Sequence, residues 1–308
     1  MAYQSGSATT PSGLLDALRT FAVAQGWTQN AWAEVTTDKF WLNLSKGGHY
    51  VNAYAQNAAG TISLQGATSY DGGAAYNAQP GRITTNEWSI TNDLAGPYVG
   101  HHFFAGAGHV HVVCQVASGR YVHFGFGTLT KYGAYTGGEY VFGTYWLLNN
   151  TTYSGVGTAN NHSAPFDADY AGTGAAFSMV RFAEAGASTA NWLRFRTTFA
   201  DGYAVGYSRP GSANALNTAL VRRQPNTFNS LSILLPIHCW AARTDGLVAI
   251  LGAPPEMKQI DVSNHAHGET LTLGTDEWLV FPLKAKGPNL GDGSSASGNF
   301  GLAYKKVV

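Results

Sequence analysis

The chain has 308 residues, which is enough for one large domain or two ordinary ones with a substantial apolar core. Its 18 basic and 18 acidic residues give a formal net charge of zero and form no long run of one sign, so the clustered cations that neutralise nucleic-acid phosphates are missing. Only 12% of residues are charged and 38 are glycine, a composition typical of a turn-rich chain that buries or shares most of its surface. We expect no nucleic-acid partner.

Cysteine usage and hydropathy narrow the class of protein further. Cys114 and Cys239 lie far apart in apolar runs, and neither belongs to a CxxC pair, so both are predicted to be buried free thiols. The first ten residues lack the basic and apolar regions of a secretory signal. The longest apolar run, 232–242, is too short to cross a bilayer. We therefore expect a soluble protein with no membrane span.

One helix is predicted near the start of the chain, over residues 10–26. Pro11 and Ser12 are typical of a helix N-terminus, and Gly26 is typical of the residue that follows a helix C-terminus. We expect this helix to be amphipathic and to pack on the first sheet. Its apolar residues recur at helical spacing on one side: Leu14, Leu15, Leu18, Phe21 and Ala22.

Beyond the helix, the apolar pattern takes the period of two that is typical of strands. The pattern is clear at residues 40–44, 110–126 and 193–197, and glycine-rich or polar turns separate such runs. No repeat of fixed length is visible, which argues against solenoids and propellers. The sequence predicts a mainly β protein, with an antiparallel sandwich or barrel-like sheets and one N-terminal amphipathic helix.

A polar stretch suggests where the chain divides. Residues 149–174 are rich in Asn, Thr, Ser and Gly, the composition of a linker or a long inserted loop. We place a boundary there, so that residues 1–148 hold the helix and a first β region and residues 149–308 form a second β region. A single domain that includes both regions is the alternative.

Residues 109–126 predict a β-hairpin with histidines on one face. The loop 117–119 ends in a glycine, which reaches positive φ without a Cβ clash. The opposite, polar face then carries His109, His111 and His123, whose imidazoles are candidate metal ligands. The register predicted by this loop joins four pairs of residues: Val116 with Arg120, Cys114 with Val122, Val112 with Phe124 and Val110 with Phe126.

The metal interpretation of this face competes with a simpler one. Metal-bound histidines are usually oriented by carboxylates or carbonyls, and the nearest acid in the sequence, Glu139, lies outside the hairpin. We favour the alternative that the face meets a second sheet, a neighbouring subunit or solvent, and we expect no resident cofactor. A second His-x-His pair, His265 and His267, lies in a polar, turn-like segment.

Aromatic residues are concentrated after the hairpin. Their rings can stack on a sugar, and an aromatic surface with few charges is also typical of protein interfaces. Because so few residues of this chain are charged, we favour protein contacts over glycan binding. The candidate interface or glycan-contact residues are Tyr132, Tyr135, Tyr140 and Trp146.

Sequence motifs for common catalytic sites are missing. The chain has no G-x-S-x-G elbow and no G-x-x-x-x-G-K-S/T phosphate loop, and Gly155-Val156-Gly157 lacks the third glycine of a dinucleotide fingerprint. We therefore predict no catalytic residues and no enzyme activity.

Three separated blocks of the chain carry a family resemblance. They are the helix that ends in Gly26-Trp27, the hairpin with its continuation HVHVVCQVASGRYVHFGFGTLTKYGAYTGGEYVFG (109–143), and residues 225–264 with their continuations at 273–282 and 297–306. In these blocks, which span nearly the whole chain, the sequence resembles tailed-bacteriophage virion structural proteins of the tail or baseplate region.

The resemblance implies a subunit of a symmetric ring or collar around the tail, synthesised in the host cytoplasm and located in the virion. Its partners would be other virion tail proteins and copies of itself, and no catalytic residue is implied. Two alternatives stay open. One is a phage protein that binds a host-surface glycan or another receptor, and the other is a metal-dependent enzyme that uses the histidine cluster.

Overall fold

In a computed structural model, the chain is mainly β, with several antiparallel sheets and one helix near the N-terminus, so the predicted fold class is confirmed. None of the sheets closes into a barrel within the described residues. The predicted polar segment, residues 149–174, lies outside the described residues, apart from residues 162–163. The structure describes residues 2–83, 88–146, 162–163, 178–183, 190–194, 196–197, 231–242, 248–286 and 299–306.

The N-terminal sheet has five strands in the order β2-β3-β4-β5-β6, and neighbouring strands are antiparallel. Leu42 and Leu44 of its second strand are buried, as their alternation with polar residues predicts. The strands are β2 (Thr28–Thr36), β3 (Lys39–Lys46), β4 (His49–Gln56), β5 (Thr61–Ala67) and β6 (Ser89–Thr91).

The central sheet has seven strands in the order β1-β7-β8-β9-β11-β14-β15 and contains the predicted hairpin. This sheet combines strands from before and after residue 149, the predicted domain boundary. The division of the chain into two domains stays a prediction. The strands are β1 (Ala2–Gly6), β7 (Gly100–Ala105), β8 (His109–Ala117), β9 (Arg120–Thr128), β11 (Thr136–Phe142), β14 (Met179–Ala183) and β15 (Asn191–Arg194).

The hairpin register is as predicted away from the turn, where Val110, Val112 and Cys114 pair with Phe126, Phe124 and Val122. Next to the turn the prediction is wrong. Ala117, rather than Val116, pairs with Arg120, because a β-bulge between Gln115 and Ala117 takes up one residue. The loop is therefore two residues long, and its Gly119 has φ of +69°.

A second five-stranded sheet, which we call the C-terminal sheet, has the order β17-β20-β23-β22-β21. It packs on the central sheet through aromatic rings. Tyr304 of β23 stacks on Phe104 of β7 with ring centroids 5.0 Å apart. The strands are β17 (Leu235–Pro236), β20 (Met257–Asp261), β21 (Glu269–Leu273), β22 (Asp276–Pro282) and β23 (Phe300–Lys306).

Two small sheets complete the described part of the chain. A four-stranded sheet has the order β10-β19-β18-β16, and β12 pairs with β13. Only residues 237 and 238 separate β17 in the C-terminal sheet from β18 in the four-stranded sheet. The strands are β10 (Thr130–Lys131), β16 (Arg196–Thr197), β18 (Cys239–Ala242), β19 (Val248–Ala253), β12 (Tyr145–Trp146) and β13 (His162–Ser163).

The helix α1 (Pro11–Ala24) lies between the N-terminal and central sheets, where it packs against β3, β4 and β7. Thr10 caps it, because its hydroxyl accepts a hydrogen bond from the backbone N–H of Gly13 at 3.1 Å. All five residues of the predicted apolar stripe are buried. In the described residues, no helix is long and apolar enough to span a membrane.

Candidate functional site

The three hairpin histidines lie on one face of the central sheet, as predicted, and all three are buried. Glycines lie opposite two of them, since His109 pairs with Gly127 and His111 with Gly125. A Cβ at Gly127 would come within 2.4 Å of the His109 Cβ. The sequence therefore leaves room for the imidazoles where the two strands approach each other.

His109 and His111 form the first part of the buried cluster, with ring centroids 4.6 Å apart. The Nε2 of His111 lies 2.6 Å from the Tyr140 hydroxyl, which donates a hydrogen bond when Nε2 carries no proton. The Nε2 of His109 faces Glu256 Oε2 at 3.3 Å. Although these two atoms are close, neither His109 Nε2 nor Glu256 Oε2 forms a hydrogen bond among the described residues.

Burial decides the charge of this cluster. It lowers the pKa of His109 to about 3, with a further decrease from the Lys46 cation. Burial also lowers the pKa of His111 far below its usual value, and it raises the pKa of Glu256 against the opposing effect of Lys305. The contact between His109 and Glu256 is therefore not an ion pair at neutral pH, because the imidazole is uncharged there.

His123 has a different set of partners, in the C-terminal sheet. Its Nε2 lies 3.0 Å from the Pro282 carbonyl, and its Nδ1 lies 2.9 Å from the Tyr304 hydroxyl. Since a carbonyl only accepts, the proton is on Nε2 and Tyr304 donates to Nδ1. Burial lowers the pKa of His123 to about 4, although the backbone bonds to Pro282 and Leu283 raise it. This neutral ring joins the two sheets.

The three histidines do not converge on one point, as a metal site would require. His111 is directed towards Tyr140, and both nitrogens of His123 are occupied in the C-terminal sheet. Among the described residues no group of three or more His, Cys, Asp or Glu side chains could hold a metal ion. The histidine face instead meets a second sheet of the same chain.

The predicted aromatic contacts differ in accessibility. Tyr132 is 50% exposed, whereas Tyr135 is half-buried and packs edge-on against Phe182 at a centroid distance of 5.5 Å. Tyr140 is fully buried, and its hydroxyl is hydrogen-bonded to His111. A partner at the surface of this chain could not contact its ring, so its prediction as an interface or glycan contact is wrong. The side chain of Trp146 is not among those that the structure describes, so its part of the prediction stays a prediction.

Tyr132 belongs to an exposed side of the four-stranded sheet. Trp240 of β18 lies directly opposite Ile250 of β19, and Ile250 is 64% exposed. The Tyr132 hydroxyl is 2.8 Å from His238 Nδ1. The alternate residues Cys239 and Leu251 are buried. We call this surface the outer face, and it consists of Tyr132, His238, Trp240 and Ile250.

Sequence reasoning missed five residues of these two regions. One is Ile250, which lies in the apolar run 247–251, where the pattern does not separate exposed from buried side chains. Glu256, in the turn before β20, and Tyr304 of β23 reach the histidines from distant parts of the chain, and no local signal marks them. His238 and Trp240 have such a signal, since they alternate with buried apolar residues in the run 232–242.

The chain matches no protein-family model, and a search of curated proteins finds no relative.

Proposed function

We propose that this chain is a structural subunit of a bacteriophage tail or baseplate, which acts through protein–protein contacts in a symmetric assembly. The outer face is the observation that carries this proposal. Aromatic and aliphatic side chains lie exposed there on a sheet whose other side faces the core. Tyrosine and tryptophan are enriched at protein interfaces, where they supply large contact areas at low entropic cost.

The geometry of the outer face suits a protein partner. Trp240 and Ile250 are directly opposite across two antiparallel strands, so their side chains form one continuous apolar spot. The bond between Tyr132 and His238 fixes a third ring beside it. Side chains that are already ordered lose less entropy when a partner binds. The family resemblance in three blocks of the sequence supports the tail or baseplate as the location.

Localisation of the chain in intact virions tests the proposal. We expect several symmetry-related copies in a tail or baseplate ring, visible by electron cryo-microscopy and by cross-linking with mass spectrometry. The contacts of each copy should bury more than about 1,000 Å² in total and should include Ile250. A purified virion without the chain, or with the outer face open to solvent in every copy, would contradict the proposal.

A host-surface glycan is the second candidate partner, and Tyr132 is the residue that favours it. Its ring is exposed and its hydroxyl is held by His238, which leaves an oriented ring face for a sugar. Saturable retention on host polysaccharide that is lost in Tyr132→Ala and weakened in Tyr132→Phe, which keeps the ring but removes the bond to His238, would support this function. Tyr135 is a poorer candidate because Lys131 Nζ already lies 4.6 Å from the centre of its ring.

A further inference from the structure

Ser232, His265 and Glu269 form a chain of hydrogen bonds beside the C-terminal sheet. The Oγ of Ser232 lies 2.5 Å from His265 Nε2, and His265 Nδ1 lies 3.2 Å from Glu269 Oε1. The second oxygen of Glu269 accepts a hydrogen bond from the Ala266 backbone N–H at 2.7 Å. A serine on one imidazole nitrogen and a carboxylate on the other is the arrangement that activates serine as a nucleophile.

Two separate segments bring these residues together. Ser232 precedes β17, His265 lies in the turn between β20 and β21, and Glu269 begins β21. The turn is held by a bond from the His265 backbone N–H to Val262 at 3.2 Å and by one from Lys286 Nζ to the His265 carbonyl at 3.1 Å. The imidazole is largely covered, with 10% of its side chain exposed.

Electrostatics keep the carboxylate in the form that this arrangement needs. Desolvation alone would raise the pKa of Glu269, but the bond from Ala266 and the interactions with His265 and Lys286 give a net lowering. An ionised carboxylate on Nδ1 stabilises the imidazolium that forms when Nε2 accepts the serine proton. Glu269 is therefore suited to orient His265 and to stabilise its charged form.

The surroundings of Ser232 indicate what class of substrate it would meet. Burial alternates along residues 231–234, so Leu231 and Ile233 lie on the exposed side of this segment and Ser232 lies on the other side with Leu234. Leu234 packs against the apolar cluster of the C-terminal sheet. The apolar surface on the side of the hydroxyl is therefore that of Leu234 and its neighbours, which suits a short aliphatic acyl group.

We propose that Ser232, His265 and Glu269 form an acyl-transfer site that hydrolyses esters of short aliphatic acids. Ser232 Oγ attacks the ester carbonyl carbon while its proton passes to His265 Nε2. The bond to the alcohol oxygen then breaks, and the alcohol leaves with that proton. Water attacks the resulting serine ester and gives a proton to Nε2. The carboxylic acid leaves as Ser232 takes the proton back.

Ester hydrolysis by the purified full chain tests this site, with p-nitrophenyl acetate and butyrate as substrates and a fluorophosphonate as a serine-directed probe. We expect saturable turnover and attachment of the probe to Ser232, located by peptide mass spectrometry. Ser232→Ala and His265→Gln should each lower kcat/KM by at least about 100-fold. Ser263→Ala is the matched control and should keep the wild-type rate, because Ser263 bonds to Asp261 instead.

Glu269 needs a readout that separates orientation from folding. Glu269→Gln keeps the size of the side chain and removes its charge. We expect kcat to fall by at least about 10-fold while KM stays unchanged, because only the imidazolium-forming steps lose stabilisation. Unchanged kcat in this variant would remove Glu269 from the site.

Several results would overturn the proposal: wild-type rates in folded Ser232→Ala, the probe on another residue, or neither hydrolysis nor labelling by the folded wild-type chain. If Ser232→Ala fails to fold, Ser232→Cys replaces it. Its new thiol should react with iodoacetamide faster than Cys114 and Cys239, which are both buried, and its ester turnover should fall. A thiol at residue 232 no more reactive than those two cysteines would also overturn the proposal. None of these results bears on virion assembly, since Ser232 is not part of the outer face.

Discussion

Tyr140 and Tyr304 each place a hydroxyl against a buried imidazole, at His111 and His123. A phenol can donate to an unprotonated ring nitrogen or accept from a protonated one, so each of these hydrogen bonds forms while both groups are neutral. Burial raises the pKa of both tyrosines far above the usual value and lowers those of both histidines, which favours the same protonation state. The core is therefore polar here without being charged.

The bond between Tyr140 and His111 makes a first prediction. Tyr140→Phe should lower the free energy of unfolding by about 1–3 kcal/mol, because the Nε2 of a fully buried imidazole loses its hydrogen-bond partner. Urea denaturation followed by circular dichroism measures this change. Tyr132→Phe is the matched control and should change stability by less than about 0.5 kcal/mol, since its hydroxyl bond is at the surface. Equal losses in the two variants would refute the assignment.

The buried histidines also predict how stability depends on pH. The pKa of His109 is lowered to about 3 and that of His123 to about 4, from a usual value of 6.5. Below about pH 6.5 the unfolded chain binds protons that the folded chain excludes. The free energy of unfolding should therefore have its full value above about pH 6.5 and should decrease as the pH drops towards 4.

Each such histidine contributes up to about 1.4 kcal/mol per pH unit to this slope. Urea denaturation between pH 8 and pH 5 measures it. His123→Gln should flatten the slope by the share of one histidine. A wild-type free energy of unfolding that stays constant from pH 7 to pH 5 would show that the rings are not excluded from protonation.

At the scale of elements, the hairpin depends on glycines opposite histidines. In Gly127→Ala the new methyl group would meet the Cβ of His109 and backbone atoms of the facing strand, which cannot move aside easily. We expect a loss of about 1–3 kcal/mol in the free energy of unfolding, measured by thermal and urea denaturation. Gly133→Ala is the control, because no atom lies within 4 Å of its added Cβ. A loss in the control as large as that in Gly127→Ala would exclude crowding as the cause.

Local pattern was sufficient to predict α1 and most of the hairpin. The stripe from Leu14 to Ala22 is buried, and the register holds as far as Cys114 and Val122. The predicted register fails at the bulge. One extra residue next to the turn does not change the alternation of apolar and polar residues in the rest of either strand, so the sequence pattern does not reveal it. The pairing of β1 with β7 was not predictable either, since the alternation within a strand does not specify a distant partner.

At the scale of the whole molecule, the outer face should govern assembly. Ile250→Asp places a charge on the apolar spot and should leave folding unchanged, because the side chain is exposed. When the variant is produced together with the wild-type chain, we expect its incorporation into virions to fall at least about 10-fold, measured by quantitative mass spectrometry.

Leu273→Asp is the matched control for this prediction. Leu273 is similarly exposed, at 52%, but belongs to β21 in the C-terminal sheet. The control should be incorporated like the wild-type chain. Equal incorporation of both variants would show that the outer face is not a contact surface.

The fold class was predictable because composition and alternation report on the whole chain, whereas the candidate site was predictable only in part. One strand pattern placed three histidines on a face, and that face exists. Its partners, Glu256 in the turn before β20 and Tyr304 of β23, lie far along the chain, so their approach depends on how the sheets stack. The same is true of Ser232 and His265, which no local motif connects.

The contact between His123 and Tyr304 has a consequence for the order of events during synthesis. The two residues are 181 positions apart, so at typical elongation rates the ribosome makes the second roughly 10–40 s after the first. During that interval the hydrogen bond from Tyr304 to the imidazole cannot form, and the bond to the Pro282 carbonyl also depends on a residue made 159 positions after His123. The part of the core around His123 can therefore be completed only after β23 has been synthesised, however early the hairpin itself forms.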